Sequence, residues 1–414
     1  MEVVYRCCAG MDVHKKSVAV NLLRRGLAGE ADMDEVRTYG TMTRDLLSLC
    51  DWLREVGCTH VAMESTGVYW KPIYNILADE GLEVLLVNAK HIKNVPGRKT
   101  DVQDCQWIGQ LLQHGLLRGS FIPPEPIREL RDLTRQRRKL VGQRASCIQR
   151  IQKVLEDANI KLSSVATDVV GKSGWDMLCR LTEGETDAEK MADLARGRLK
   201  SKKDQLILAL EGRVTDHHRF LLRQHMKQIE FLDTMIEDFD RRIDEQVRPF
   251  FEFIPLLDTI PGINKTAAAA VVAELGVNMQ QFPDEHHLAS WAGICPGNNE
   301  SAGKYRSGKT RHGSKWLRSL MVEIAWSAAR TKGSYFRSQF RRLAARRGKK
   351  RALVAVAHSI LVIIYHVMQN KVPYQELGEE FFDKLNSRRL TTYYTRRLQK
   401  LGYEVSLQPK EDAA

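Results

Sequence analysis

Over the first 120 residues or so, short apolar runs alternate with amphipathic stretches, a pattern that predicts an α/β domain. Two β-rich runs, 3–13 and 17–23, are joined by a tight polar turn and predict a hairpin. Helical and strand patterns then alternate: helix 45–57, strand 59–65, helix 69–81, strand 82–88 and helix 101–115. The last helix has Asp101 in its first turn and Gly115 at its end. A hairpin followed by alternating helices and strands indicates an α/β sheet.

A proline-rich stretch, "PPEPIREL" at 123–130, ends this pattern, and helical periodicity follows without proline until Pro249. Apolar residues repeat every seven positions in two tracts: Val141, Ile148 and Leu155; then Leu222, Ile229, Ile236 and Ile243, with Leu232 and Phe239 between them. The tracts predict an antiparallel helical hairpin or coiled-coil arm, and a helix pair packed within one domain is the alternative. The basic run 135–144 suits contacts to a nucleic-acid backbone or an ordinary solvated helix face.

The pattern changes again near residue 251. "LLDTIPGINKTAAAAVVAELG" (256–276) places Pro-Gly between a short apolar run and an Ala-rich helix. This is typical of a helix-hairpin-helix, in which Gly262 lets backbone N–H groups approach a phosphate, or of a plain corner between two helices. A basic loop, 299–316, comes before a helix over 314–330. A 17-residue apolar run then begins at Ala352; it is too short for a bilayer and predicts a buried helix.

These changes divide the chain into four regions: 1–122, an α/β domain; 123–250, a helical or coiled-coil region; 251–375, a mostly α domain; and 376–414, a basic tail. Two adjacent tyrosines in the tail suit stacking on bases or simple packing.

The charge balance points to a polyanionic partner. The chain carries 64 Lys and Arg against 51 Asp and Glu, a net charge of +13, and a pI near 9.3. Nucleic acid is the first candidate, an acidic membrane surface the second, and a merely basic enzyme the plain alternative. Eight scattered cysteines without C-x-x-C, and an N-terminus without an apolar core, predict a reduced cytosolic protein without structural zinc.

Four carboxylates stand where a nuclease would need them. Asp12 and Glu64 end predicted strands, and Asp101 and Asp104 lie three apart near the start of a predicted helix, on one face. RNase H-like nucleases use this arrangement, because oxygen ligands suit Mg²⁺ and two ions can clamp a phosphodiester. Taken singly, each acid also fits a turn or cap. Arg98 and Lys99 would lie near the scissile phosphate.

Six ordered motifs resemble a known family: "GMDVHKKSV", "MESTGVYW", "NAKHIKNVPGRKTDVQD", "IPGI", "WAGICPGNNESAGK" and "HGSKWLR". Together they resemble the DEDD transposases of the IS110 insertion-sequence family, most closely its IS1111 branch. The resemblance runs from about residue 5 to 370, and the helical middle and the tail match only in character.

The resemblance implies a RuvC-like (RNase H-fold) N-terminal domain in which Asp12, Glu64, Asp101 and Asp104 bind Mg²⁺, with Mn²⁺ as the alternative metal. It also implies a C-terminal transposase domain whose nucleophilic serine falls on Ser301, in "SAG" where many relatives have "SG". Members recombine element and target DNA, guided by a non-coding bridge RNA. They assemble from dimers into tetramers, in which the acids of one protomer meet the serine of another.

Serine chemistry explains why a chain with acids also carries a basic loop. Attack by Ser301 on DNA would conserve the phosphodiester bond energy in a covalent phosphoserine link. Lys304 and Arg306 would offset the charge on the reacting phosphate. The other expected nucleic-acid contacts are Lys309, Arg311 and Lys315. Ser307 is interpreted as a loop serine and Ser314 as a helix N-cap.

Two other hypotheses stay open. A junction-resolving nuclease would cut with the acids and use the C-terminal part only to grip DNA. A non-catalytic nucleic-acid-binding derivative is the third hypothesis, although all four acids are present. On each hypothesis the expected location is the cytoplasm of a prokaryotic cell, at the nucleoid, without a membrane.

Overall fold

The computed structural model describes residues 2–26, 31–65, 67–88, 92, 104–296, 300–301, 304–305, 309–310, 312–385 and 387–408. The chain forms two compact units, Met1–Pro123 and Pro124–Ala414. Each has its own hydrophobic clusters.

The first unit is built on a five-stranded mixed sheet. Its strands are β1 (Cys7–Val13), β2 (Ser17–Arg24), β3 (Met33–Gly40), β4 (His60–Glu64) and β5 (Glu83–Val87). The spatial order is β3-β2-β1-β4-β5. The first three strands pair antiparallel, and β4 and β5 run parallel to β1. This mixed sheet agrees with the expected RuvC-like α/β domain.

Helices cover both faces of the sheet. They are α1 (Thr43–Glu55), α2 (Trp70–Asp79) and α3 (Asp104–Gln113). Met11 and Met63, in adjacent strands, belong to one buried cluster with side chains of α1 and α2. Cys8 and Ala62 point the other way and share a second cluster with α3. This separation follows from the two-residue alternation of side chains along a strand.

One feature of this unit differs from the expectations. The pattern did not predict β3, because only half of its residues are shielded from solvent and its sequence, "MDEVRTYG", is largely polar. Such a composition is common in an edge strand. The described part of the last helix begins at Asp104, and Asp101, expected in its first turn, lies outside the described residues.

In the ranges that the structure describes, the second unit is mostly helical and includes a short hairpin. Its helices are α4 (Glu125–Asp157), α5 (Leu162–Val165), α6 (Lys172–Glu183), α7 (Ala188–Ala192), α8 (Lys203–Leu210), α9 (Asp216–Gln246), α10 (Phe253–Asp258), α11 (Lys265–Leu275), α12 (Glu285–Trp291), α13 (Lys315–Ala328), α14 (Tyr335–Arg347), α15 (Lys349–Asn370), α16 (Phe381–Leu385) and α17 (Ser387–Lys400). The hairpin strands are β6 (Glu300–Ser301) and β7 (Lys304–Tyr305).

The long helices α4 and α9 pack side by side in opposite directions. Arg137 pairs with Asp240, and Arg144 with Asp233. Because the partner number falls as the α4 number rises, the two helices are antiparallel. One end of the pair belongs to a large cluster that includes residues of α10 to α15. The other end belongs to a separate cluster built with α5 to α8, so the segment between the two heptad tracts forms a small helical layer.

At the first two predicted heptad positions of α4, the buried residue is the one before the expected residue. Leu140 and Cys147 are buried, whereas Val141 is 41% exposed and Ile148 only half-buried. Leu155 is buried, as expected. The buried side chains of α4 contact both α9 and the short helices α5 to α8. Their positions therefore depend on tertiary packing, and the seven-residue repeat alone does not locate them.

Helix α15 contains the 17-residue apolar run. By length and hydropathy it could cross a membrane. In the structure Val356, Ile360 and Ile364 are fully buried in the largest cluster of the second unit. This confirms the prediction of a buried core helix.

Candidate active site

Asp12 and Glu64 lie on the same face of the sheet, at the carboxyl ends of neighbouring parallel strands. Met11 is paired with Met63 across β1 and β4, so the next positions along the strands are Asp12 and Glu64. Since successive side chains alternate, both acids point away from the methionine face and toward the face that α3 covers. The side chain of Asp12 is 25% exposed, and Glu64 is half-buried.

A backbone contact seats α3 on this face. A Cβ built on Gly10 would lie 2.1 Å from the amide nitrogen of Gly109 and 2.3 Å from the carbonyl oxygen of Cys105. A Cβ on Gly109 would in turn lie 2.7 Å from Oδ1 of the fully buried Asn21. Only glycine permits such an approach between a helix and a strand.

The contact brings Asp104, the first residue of α3, to the acid-bearing end of the sheet. Burial raises the pKa of the Cys105 thiol, and the negative charges of Asp12 and Asp104 act in the same direction. Asp104 directly precedes Cys105, whose carbonyl oxygen lies at the Gly10 contact. Asp104 itself is exposed to solvent.

Three of the four predicted acids thus gather at one end of one face. Asp101 lies outside the described residues, as do Arg98 and Lys99. The donors are carboxylate oxygens, which suit Mg²⁺ or Mn²⁺. Within the described ranges, no three His, Cys, Asp or Glu side chains stand close enough together to hold a metal. The acids therefore share a face without forming a closed set of ligands.

His14 lies beside Asp12. Its Nε2 is 3.1 Å from Oδ2 of Asp12, and its side chain is 64% exposed. The turn that carries it is closed by a hydrogen bond from the His14 amide to the Ser17 carbonyl. A polar, open environment thus adjoins the acids on the hairpin side.

Ser301 lies in the short hairpin of the second unit. The backbone of Ser301 pairs with that of Lys304, and Glu300 pairs with Tyr305. Of the other predicted residues in this loop, Arg306, Ser307 and Arg311 lie outside the described ranges.

The two ends of this loop are held together. Pro296 and Thr310 form an isolated bridge. A Cβ on Gly313 would lie 2.4 Å from the amide nitrogen of Gly293, so the chain passes very close there. The Ser314 hydroxyl accepts a hydrogen bond from the Leu317 amide, which confirms the predicted N-cap of α13. Lys309 and Lys315 are exposed at the same end of the loop.

Gly262 forms the turn between α10 and α11, with φ +92°. A Cβ there would lie 2.6 Å from the carbonyl oxygen of Ile324 and 2.7 Å from the amide of Ala328, both in α13. The glycine is therefore required by close packing within the protein. A role of its backbone in phosphate binding stays a prediction.

The arginines of the basic run on α4 are bound to acids of the same unit. The pairs are Arg135–Glu274, Arg137–Asp240, Arg138–Glu323 and Arg144–Asp233. The first is bidentate, with nitrogen–oxygen distances of 2.6 and 2.8 Å, and Glu274 is buried. These side chains join α4 to α9, α11 and α13, so their first role is structural.

Sequence reasoning missed Gly10, Gly109 and Asn21, which position α3. A glycine inside a strand and another inside a helix are signals of close backbone approach. The sequence does not say which glycine meets which, because the contact joins elements about one hundred residues apart.

Two family models match parts of this chain. Residues 9–160 match the DEDD_Tnp_IS110 transposase model, and residues 254–341 match the model of the transposase IS116/IS110/IS902 family. The first match spans all four acids, the second spans Ser301, and together they cover more than half of the chain. These matches define a DNA transposase. The chain belongs to the IS110 family of insertion-sequence transposases.

Curated relatives are distant but extensive. The chain is 24% identical over 331 residues to the transposase for insertion sequence element IS1111A of Coxiella burnetii, covering 78% of this chain and 80% of the relative. It is 24% identical over 316 residues to an uncharacterized 44.8 kDa protein of insertion element IS116 from Streptomyces clavuligerus, covering 68% and 75%.

Among solved structures, Thermus thermophilus RuvC aligns with 28% of this chain and 99% of its own, with 10% identity and a TM-score of 0.21. T. thermophilus RuvC in complex with a Holliday junction substrate aligns with 28% and 100%, with 9% identity and a TM-score of 0.20.

Proposed function

We propose that this transposase cuts and rejoins DNA strands with a two-part active site, formed by the acids of the first unit and Ser301 of the second. The observation that carries the proposal is the placement of Asp12 and Glu64 on one sheet face, with Asp104 at the start of the helix seated there. This is the end of the sheet at which parallel strands present functional side chains.

The acids would hold the metal and the DNA phosphate near it. Asp12, Glu64 and Asp104, with Asp101 as the fourth acid, supply oxygen ligands only, which fits Mg²⁺. A bound divalent ion would neutralise charge on the reacting phosphate and orient the leaving oxygen. The α3 contact through Gly10 and Gly109 fixes the separation between the helix acid and the strand acids.

Ser301 would be the nucleophile. Its Oγ forms a bond to phosphorus as the bond from phosphorus to the departing DNA oxygen breaks, and the serine proton is taken up by that oxygen. A second strand's hydroxyl then attacks the phosphoserine, which restores the serine and joins the strands. Lys304 and Arg306 would offset the developing charge. Family membership supports this role, since Ser301 matches the family's serine motif.

DNA of the element and of the target would be the substrates. The charge of +13 supports a polyanionic partner. Contacts to the backbone are proposed for Arg98, Lys99, Lys309, Arg311 and Lys315, together with the turn at Gly262. Such contacts give affinity that depends on salt but little sequence choice.

A bridge RNA would determine which DNA sequence the protein recognises. Because phosphate contacts carry no sequence information, pairing between a guide and DNA would supply it. The proposal also includes assembly of dimers into a tetramer, in which the acids of one protomer act with Ser301 of another. Both elements rest on family membership.

A covalent-adduct assay tests the chemistry. Full-length protein with its RNA is incubated with labelled element DNA and Mg²⁺, then separated under denaturing conditions. The wild type should yield protein-linked DNA, whereas Ser301→Ala and Asp12→Asn should yield none. Ser307→Ala is the matched control and should behave as the wild type. Strand cleavage at the wild-type rate by Ser301→Ala would sink the serine mechanism and favour a junction-type nuclease.

The guide is tested separately. Protein purified from cells carrying the whole element should retain a discrete element-encoded RNA, and nuclease treatment should abolish recombination. Adding the RNA back should restore it. Recombination at full rate without RNA would overturn this part of the proposal and leave the serine chemistry standing.

A further inference from the structure

We propose that the basic face of α17 is a docking element for duplex DNA. This inference deepens the proposed function, on which it rests, by assigning a DNA contact surface to the part of the chain outside the family matches. The surface, called the tail face below, consists of Arg389, Tyr393, Arg396, Arg397 and Lys400.

The tail face is a single continuous surface. Helix α17 carries five Lys or Arg and no acid. Its residues 389, 393, 396, 397 and 400 follow the spacing of one helix face. Thr392 lies on the same side of the helix. The Tyr393 hydroxyl accepts a hydrogen bond from Nη1 of Arg397 at 2.8 Å, which keeps the ring within the cationic row.

The tail face is exposed to solvent, and within the described part of the chain its positive charges are not neutralised by ion pairs. No residue of α17 is buried, and only Leu390 and Thr395 are half-buried. Among the described residues, no carboxylate forms an ion pair with any of its five cations. The four arginines of the basic run on α4, Arg135, Arg137, Arg138 and Arg144, show the opposite arrangement, because each of them binds an acid.

Like charges on the helix favour an anionic partner. Arg396 and Lys400 stand four residues apart, a spacing at which like charges destabilise an isolated helix. A helix of 14 residues without buried side chains also gains little from packing. Phosphates along the tail face would remove the repulsion and stabilise the helix.

The shape of the element favours duplex DNA over RNA. An α-helix with its side chains is about 10–12 Å wide, and the major groove of B-DNA is about 12 Å wide. The major groove of A-form RNA is too narrow for it. Single strands are held in grooves lined with several stacking rings, whereas the tail face is a straight row with one tyrosine. Fourteen residues span about 21 Å.

Binding of full-length, RNA-free protein to a short random-sequence DNA duplex tests the inference. Fluorescence anisotropy is measured over a series of salt concentrations for the wild type and for the triple variant Arg396→Gln, Arg397→Gln, Lys400→Gln. If each cation contacts one phosphate, the slope of log affinity against log salt should become shallower by about 3, and affinity should fall.

A matched variant controls for net charge. Arg150→Gln, Lys153→Gln, Lys227→Gln removes three exposed charges from α4 and α9. Its slope should change by less than about 1, because those residues would contact no phosphate. Circular dichroism of both variants verifies that the fold is kept.

Equal slopes for the two triple variants would overturn the inference. The inference would also be overturned if the tail-face triple variant lost affinity only for single-stranded or duplex RNA of the same sequence and bound duplex DNA as the wild type does. The result is independent of the chemistry: Ser301→Ala should bind the duplex as the wild type does. If the wild type forms no covalent adduct but the tail-face triple variant still binds duplex DNA more weakly than the wild type, the serine mechanism is contradicted and the inference about the tail face stands.

Discussion

Gly10 of β1 and Gly109 of α3 meet through their backbones, so closely that a Cβ on Gly10 would lie 2.1 Å from the amide nitrogen of Gly109. The contact lies two residues before Asp12 on the strand and five residues after Asp104 on the helix. It therefore sets how far apart two of the acids stand. A structural glycine pair and the chemistry of the site are thus linked by a few residues of chain.

Gly10→Ala should loosen α3 from the sheet. The added methyl has no room among backbone atoms, and overpacking of this kind costs about 1–3 kcal/mol. Strand cleavage should fall with stability, since Asp104 moves relative to Asp12. Urea unfolding and the adduct assay measure the two effects. Gly142→Ala in α4, where nothing lies within 4 Å of the new methyl, is the control and should be neutral or slightly stabilising. An unchanged stability for Gly10→Ala would contradict the close contact.

Glu64→Gln should abolish Mg²⁺-dependent cleavage while leaving the fold intact. Loss of a carboxylate ligand removes several kcal/mol of transition-state stabilisation, which corresponds to roughly 1,000-fold in rate. Cleavage rates at increasing Mg²⁺ give the comparison. Glu83→Gln, at the opposite end of the neighbouring β5, should cleave at the wild-type rate. Equal rates for Glu64→Gln and the wild type would remove Glu64 from the site.

Glu274→Gln should destabilise the second unit. The carboxylate is 4% exposed and accepts both hydrogen bonds from Arg135, so its loss leaves a shielded guanidinium without a counter-charge. Breaking a buried pair costs about 3–5 kcal/mol, and the partial exposure of Arg135 places the expected cost near the lower limit. Denaturant unfolding measures it. Glu183→Gln breaks the exposed Arg180–Glu183 pair and should cost less than about 1 kcal/mol.

Stability should fall on acidification, in part through His358. Burial lowers the pKa of this imidazole below its ordinary 6.5, and the charge of His286 acts in the same direction. The unfolded chain therefore binds a proton near pH 6.5 that the folded chain resists. This contribution is present above pH 6.5 and is lost as the pH falls below it.

Unfolding free energies at pH 7.5 and 5.5 check this expectation. The difference between the two values should shrink in His358→Gln. The exposed His217→Gln should keep the wild-type difference. A difference unaffected by His358→Gln would show that other groups account for the acid sensitivity.

Local patterns were enough to predict much of this fold and of the candidate site. The alternating runs gave four of the five sheet strands, and Asp12 and Glu64 stand at strand ends as expected. Ser314 caps its helix as its position before an apolar run suggested. Each of these features depends on residues close together in the chain.

What the sequence did not reveal depends on distant partners. The seam of α4 runs through Leu140 and Cys147 because of what packs there, and the neighbouring Val141 fits the same repeat equally well. The basic run on α4 suited a nucleic-acid contact or a solvated face, yet Glu274, in a helix more than one hundred residues later, neutralises Arg135. Only the tertiary arrangement reveals such pairs.

Helix α4 contributes to two separate hydrophobic clusters, one through Leu130 and the other through Ile151. With 33 residues it is about 50 Å long and runs beside α9 through ion pairs in fixed register. A single-residue insertion between the clusters would turn one end by about 100° relative to the other. Insertions or deletions in the α4–α9 pair are therefore expected to come in whole heptads, matched in both helices. The short helices α5 to α8 at one end of the pair can be exchanged as a unit.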